Sequence, residues 1–148
     1  MKNSVRFKEQ VQRNAVAIIS LVVAITSLGY NTWRNEASEG NRNQRLISIE
    51  VLRKASELQE FILYRNYEVD DELRGNNKTG WALVLTIKDL SQVLDSPAPT
   101  SATRLWEVWG EHFSDLGQED DDVDSYKEIL NVLEAVRADV HALLRSLD

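Results

Sequence analysis

Apolar residues recur at helical spacing along most of this chain, and in one stretch near its start they run right round the helix. Residues 14–33 carry no charge, and Ala15–Tyr30 includes Val16, Ile18, Ile19, Leu21, Val22, Val23, Ile25 and Leu28. A helix rises about 1.5 Å per residue, so this block spans roughly 30 Å, the hydrocarbon thickness of a bilayer. Each Val, Ile or Leu favours insertion by about 0.3–0.6 kcal/mol. β-Branched residues are poor helix formers in water, but lipid offers no partner for an unpaired backbone, so helix wins there. Ser20, Thr26 and Ser27 can return their hydroxyls to the helix's own carbonyls. Tyr30 and Trp33 fall where an aromatic belt belongs, with Arg13 and Arg34 as charged flanks. The sequence therefore predicts a transmembrane helix over 15–33, with Arg13, Tyr30, Trp33 and Arg34 at the interfaces. Ser20 and Ala24, four apart, form a small-residue pair through which two such helices could touch.

Three other readings compete. A core helix of a soluble domain would carry a polar stripe, and this block has none. A membrane-surface helix needs a charged face. A cleaved signal peptide fits the charged start, but fourteen residues precede the apolar block and no Ala-x-Ala site follows it.

Residues 34–45 are polar and contain Gly40, which predicts a juxtamembrane linker or a helical continuation of the span. Next, Ile47, Val51, Ala55, Leu58 and Ile62 recur every three or four residues, the stripe of an amphipathic helix from about Gln44 to Tyr67. Asp70–Asn77 is rich in turn formers. Asn77-Lys78-Thr79 has the N-glycosylation pattern, which serves here only as a loop marker. Leu83, Ile87, Leu90 and Leu94 mark a second helix, joined by Trp81 and Val84, expected to end near Ser96 before Pro97 and Pro99. Thr100 or Ser101 is expected to cap a third helix carrying Leu105, Trp106, Trp109, Phe113 and Leu116, with Gly117 as its stop. Carboxylates over Glu119–Asp124 favour a helix start. From Tyr126 through Ile129, Leu133, Val136, Val140, Leu143 and Leu147 the spacing alternates three and four, the 3.5-residue period of a bundle or coiled-coil seam. No alternating run calls for a strand. The fold class expected is all-α: a single N-terminal transmembrane helix followed by an antiparallel four-helix bundle. The expected divisions are a basic flank (1–14), the span (15–33), the linker (34–45) and an acidic bundle domain (46–148).

Charge sharpens this layout. The 148 residues hold 17 basic and 24 acidic side chains, a net −7. Lys2, Arg6, Lys8 and Arg13 precede the span, whereas the body is strongly acidic. An acidic body repels phosphate backbones, so no nucleic-acid partner is expected. Four basic residues before the span against Arg34, Arg42 and Arg45 after it place the N-terminus in the cytoplasm and the acidic domain outside, in a plasma or inner membrane. With no Cys, disulfides, thiolate metal sites and a Cys nucleophile are excluded.

Candidate chemistry is sparse. Asp120, Asp122 and Asp124 match the start of a calcium-binding EF-hand loop, but Ser125 stands where its Gly is required and Asn131 where its bidentate Glu is required. His112 and His141 fit neither the His-Glu-x-x-His nor the Glu-x-x-His pattern, so no metal or other cofactor is expected. No Gly-x-Ser-x-Gly elbow and no phosphate loop is present, so no catalytic residue is assigned and a non-enzymatic role is expected. Trp81, Trp106, Trp109 and Phe113 form the one notable concentration. They suit a packed core, or a partner or ligand groove. The expected function is a single-pass membrane-anchored interaction or regulatory subunit, with the bilayer and a second protein as partners. The alternatives are an aromatic-pocket sensor signalling through the span and a self-associating membrane scaffold.

Overall fold

The computed structural model describes residues 10, 13–67, 76–116 and 122–147, and these are helical with short turns between. The chain divides into two compact units, Met1–Gly40 and Asn41–Asp148. Helix α1 is Ala15–Tyr67, α2 Asn77–Ser91, α3 Ala98–His112 and α4 Asp122–Ser146, with a 3₁₀ turn at Phe113–Asp115. Residues 34–45 are thus helical, the second of the two forms expected for them; Gly40 lies within α1, with nothing within 4 Å of where its Cβ would stand.

In the first unit the apolar side chains of α1 point into open space. An 18-residue window there has a mean hydropathy of 1.7 and is 0% buried, so among the described residues one helix is long and apolar enough to cross a membrane. Thr26 Oγ1 donates to the Val22 carbonyl (2.8 Å) and Thr32 Oγ1 to that of Leu28 (3.0 Å), satisfying both hydroxyls within the helix.

The second unit has a core drawn from four helices. Val51, Ala55, Leu58 and Ile62 come from α1, Val84 and Ile87 from α2, Ala102, Leu105 and Val108 from α3, and Ile129, Leu133, Val136, Val140 and Leu143 from α4. Each set has the spacing that puts its members on one helical face. Polar side chains tie the helix ends. Gln44 donates to the Val93 carbonyl (3.1 Å) and accepts from the Asp95 N–H (3.2 Å), so the residues closing α2 are held against the second unit's part of α1. Arg45 Nη2 donates to the Leu147 carbonyl (2.6 Å), a positive charge at the C-terminal end of α4, where the helix dipole favours it. At the other end Arg65 Nη1 donates to Asn77 Oδ1 (2.6 Å), at the start of α2. On the outer face of α1, Arg53 donates to Glu50 (2.9 Å) and Glu57 (2.7 Å), and its hydrogen bond holds the Glu50 carboxyl below the ordinary carboxylate range.

Two helix boundaries differ from the sequence reading. Helix α2 ends at Ser91, not near Ser96; tighter turns then carry the chain, with the Leu94 N–H donating to the Ser91 carbonyl (3.1 Å) and Leu94 still buried. Helix α3 begins at Ala98 with no side-chain cap, so Thr100 and Ser101 lie inside its first turn rather than capping it. Pro99 explains this: its fixed φ suits a first turn, and it has no N–H to be left unpaired there. Ser101 Oγ instead donates to the Ala98 carbonyl (3.1 Å). The α-helical part of α3 ends at His112, and the 3₁₀ turn carries Phe113 into the core, with Leu116 buried just after it. The expected stop at Gly117 and the acidic start over 119–121 lie outside the described residues, as do most of the turn at 70–77 and Lys2, Arg6 and Lys8 of the basic flank.

Candidate functional site

Three groups of residues could carry function. The first is the exposed stretch of α1. Tyr30 and Trp33 are both exposed, one turn apart, with ring centroids 6.1 Å apart and planes tilted by 47°. Arg13, Ser20, Ala24 and Arg34 are exposed as well. The two rings and Arg34 share the end of the apolar block, the arrangement that suits a headgroup layer.

The second is the aromatic cluster. Trp109 is 0% exposed and stacks on Phe113 at 4.9 Å between centroids. Trp81 meets three rings edge-on: Trp106 at 5.3 Å, Phe113 at 5.8 Å and Trp109 at 6.3 Å. Phe61 of α1 joins at 6.3 Å from Trp109. Edge and offset contacts of this kind add about 0.5–1.5 kcal/mol per pair beyond burial. The structure therefore brings Trp81, Trp106, Trp109 and Phe113 together, with Trp109 and Phe113 inside the core and Trp81 and Trp106 half-buried at its edge. Cations cover part of that edge: Lys88 Nζ lies 4.9 Å from the Trp106 ring centre and the Arg65 guanidinium 4.8 Å from that of Phe113. Room for this packing comes from Gly80 in the first turn of α2. A Cβ there would stand 2.6 Å from Trp109 Cζ2 and 2.7 Å from Phe61 Cε1.

The third group escaped the sequence reading. His112 at the end of α3 lies 3.0 Å through Nδ1 from Ser125 Oγ in the first turns of α4, and Ser125 Oγ donates to Asp115 Oδ2 (3.2 Å). Ser125 is buried. With its one proton given to Asp115, Ser125 receives the hydrogen bond from His112 Nδ1–H. Serine is thus the middle member of the chain. A nucleophilic serine is instead an end member, handing its proton to an imidazole that an acid orients. This network fastens the end of α3 to the start of α4, and its order gives no activated hydroxyl. Its members are three to thirteen residues apart with no motif spacing, so only the packing of α3 on α4 reveals it.

Among the described residues no group of three or more His, Asp or Glu could hold a metal ion. Of the acidic run, Asp122 and Asp124 lie in α4, while Asp120 is outside the described residues. Compared with protein-family models, with curated proteins and with solved structures, the chain matches none.

Proposed function

We propose that this chain is a single-pass membrane protein. Residues 15–33 cross the bilayer, and residues 46–148 form an antiparallel four-helix bundle that acts as a non-enzymatic interaction or regulatory subunit at the membrane surface. The observation that carries the anchor is the combination of mean hydropathy 1.7 with 0% burial over the same window. A core helix hides its apolar side chains in protein; here Val16, Ile19, Ile25 and Leu28 have no protein over them. Leaving each in water costs about 1.5–3 kcal/mol relative to burial, and a bilayer removes that cost.

The helix-end contacts support the bundle topology. Gln44 and Arg45 at the start of the second unit's part of α1 meet the ends of α2 and α4, Arg65 meets the start of α2, and His112 at the end of α3 meets Ser125 near the start of α4. That pairing of starts with ends is an up-down-up-down arrangement. The interaction role rests on the layout and on a partly buried Ser–His–Asp network ordered for fastening rather than nucleophilic attack.

Alkaline carbonate extraction of native membranes tests the anchor: retention in the pellet is expected, and release into the supernatant with the start methionine still present overturns it. Reporter fusions at both termini test the orientation, with the N-terminus expected in the cytoplasm. Pull-down after mild detergent extraction tests the partner. A distinct protein recovered at fixed ratio supports the role, and recovery of this chain alone at several detergent strengths counts against it.

A further inference from the structure

A depression of about 220 Å³ lies in the seam between α1 and α4 on the outside of the second unit, and one of about 420 Å³ adjoins it on the surface of α1, the two sharing Gln59. Their walls include Glu60, Leu63 and Tyr64 from α1 and Leu130, Glu134 and Arg137 from α4. Leu63 and Tyr64 are 39% and 46% exposed, an apolar pair beside charged groups. The charges are unspent. Arg137 makes one long hydrogen bond, to Ser56 Oγ at 3.5 Å; its Nε is shielded from water with no acceptor, and it forms no ion pair among the described residues. Glu60 and Glu134 likewise form no ion pair among the described residues, although Arg53, Lys54 and Arg104 in the same unit all do. A half-buried arginine left unpaired in so acidic a body is costly, because its nitrogens lose water without gaining a carboxylate.

We infer that this α1–α4 groove is the interface of a two-fold dimer of this chain, in which Arg137 of each copy pairs with Glu134 of the other across Leu63 and Tyr64. A two-fold contact uses one patch twice, so the patch must complement itself. This groove meets that requirement: it offers an apolar pair, one cation and two carboxylates, the three charges without ion-pair partners among the described residues. Glu134 and Arg137 lie one turn apart on α4. Two copies of α4 crossing antiparallel with the axis between those positions would bring each arginine to the other's glutamate. A partner of different sequence would need its own carboxylate for Arg137 and its own cation for Glu134; a second copy already carries both. The inference concerns the second unit alone and does not rest on the anchor.

The test uses the full chain in mild detergent. Sedimentation equilibrium is expected to give a dimer. Arg137→Glu weakens it by about tenfold or more in dissociation constant, and adding Glu134→Arg to that variant restores it, because reversing both charges preserves the pair. Circular dichroism of each variant confirms that helix content is unchanged. The chain has no Cys, so Leu63→Cys reports proximity cleanly. It is expected to cross-link through a short bis-maleimide, whereas Leu85→Cys, at a similarly exposed site on α2, is not. A monomer at all concentrations overturns the inference. So does a dimer indifferent to Arg137→Glu with no Leu63→Cys cross-link, which would place self-association in the apolar segment around Ser20 and Ala24. None of these outcomes alters the result of the carbonate extraction.

Discussion

Two helical glycines of one small unit should answer the same substitution in opposite ways. At Gly80 an added methyl would stand 2.6 Å from Trp109 and 2.7 Å from Phe61, both held in the core. Trp109 cannot swing aside without disturbing its stack on Phe113, and Phe61 packs against Trp109, so Gly80→Ala is expected to destabilise by about 1–3 kcal/mol, the usual range for overpacking. At Gly110 the nearest atom is Trp81 Cη2 at 3.9 Å, an ordinary contact, and the residue is exposed in the last turn of α3. There Gly110→Ala should stabilise by about 0.5–1 kcal/mol through helix propensity alone. Urea denaturation followed by tryptophan fluorescence reads both. The sequence marked Trp81, Trp106, Trp109 and Phe113 as a group because large aromatics seldom cluster without packing together. It could not show that Gly80 is what admits them, because a glycine in a turn-rich stretch looks the same whether it bends the chain or clears a space.

Periodicity made the middles of the helices legible and left their ends obscure. The 3.5-residue seam of α4 runs through Tyr126, Ile129, Leu133, Val136, Val140, Leu143 and Leu147; its middle five are buried, and Tyr126 and Leu147 at its ends are half-buried against the core. Leu133 is 1% exposed, so Leu133→Asp, which would bury an unpaired carboxylate, is expected to cost several kcal/mol and to abolish the cooperative denaturation transition. Ends are set by single residues whose choices depend on neighbours. Thr100 and Ser101 have the chemistry of caps, but Pro99 lets α3 begin before them without one. Among the described residues a side-chain cap forms on α2, where Asn76 Oδ1 accepts from the Lys78 N–H at 3.0 Å. Asn76→Ala is therefore expected to cost about 1 kcal/mol, and Thr100→Ala a few tenths at most, by the same denaturation measurement. The link from His112 through Ser125 to Asp115 was illegible for a related reason: it exists only once α3 and α4 pack, and no spacing along the chain encodes it.

At the scale of the whole chain, the two units differ in whether protein covers their apolar side chains, and what covers those of the first can be tested by charge. In the second unit protein covers them: Val51, Leu58, Ile87 and Leu105 are fully buried. In the first unit nothing in the protein covers Val22 or Ile25, which are 56% and 62% exposed. If lipid provides the cover, an arginine at the middle of the span carries the insertion penalty of about 2.5–3.5 kcal/mol per residue. The eight Val, Ile and Leu side chains together contribute about 2.5–5 kcal/mol in favour of insertion on the same scale. One arginine therefore leaves insertion nearly balanced, and two overturn it. Val22→Arg is expected to leave a mixed population after carbonate extraction, and Val22→Arg with Ile25→Arg to move the protein into the supernatant. The core of the second unit contains neither position, so its urea transition should be unchanged in both variants. Loss of that transition would mean the apolar segment packs on the helical domain after all. Full retention of the double variant in the membrane pellet would mean that something other than the 15–33 helix holds the chain there.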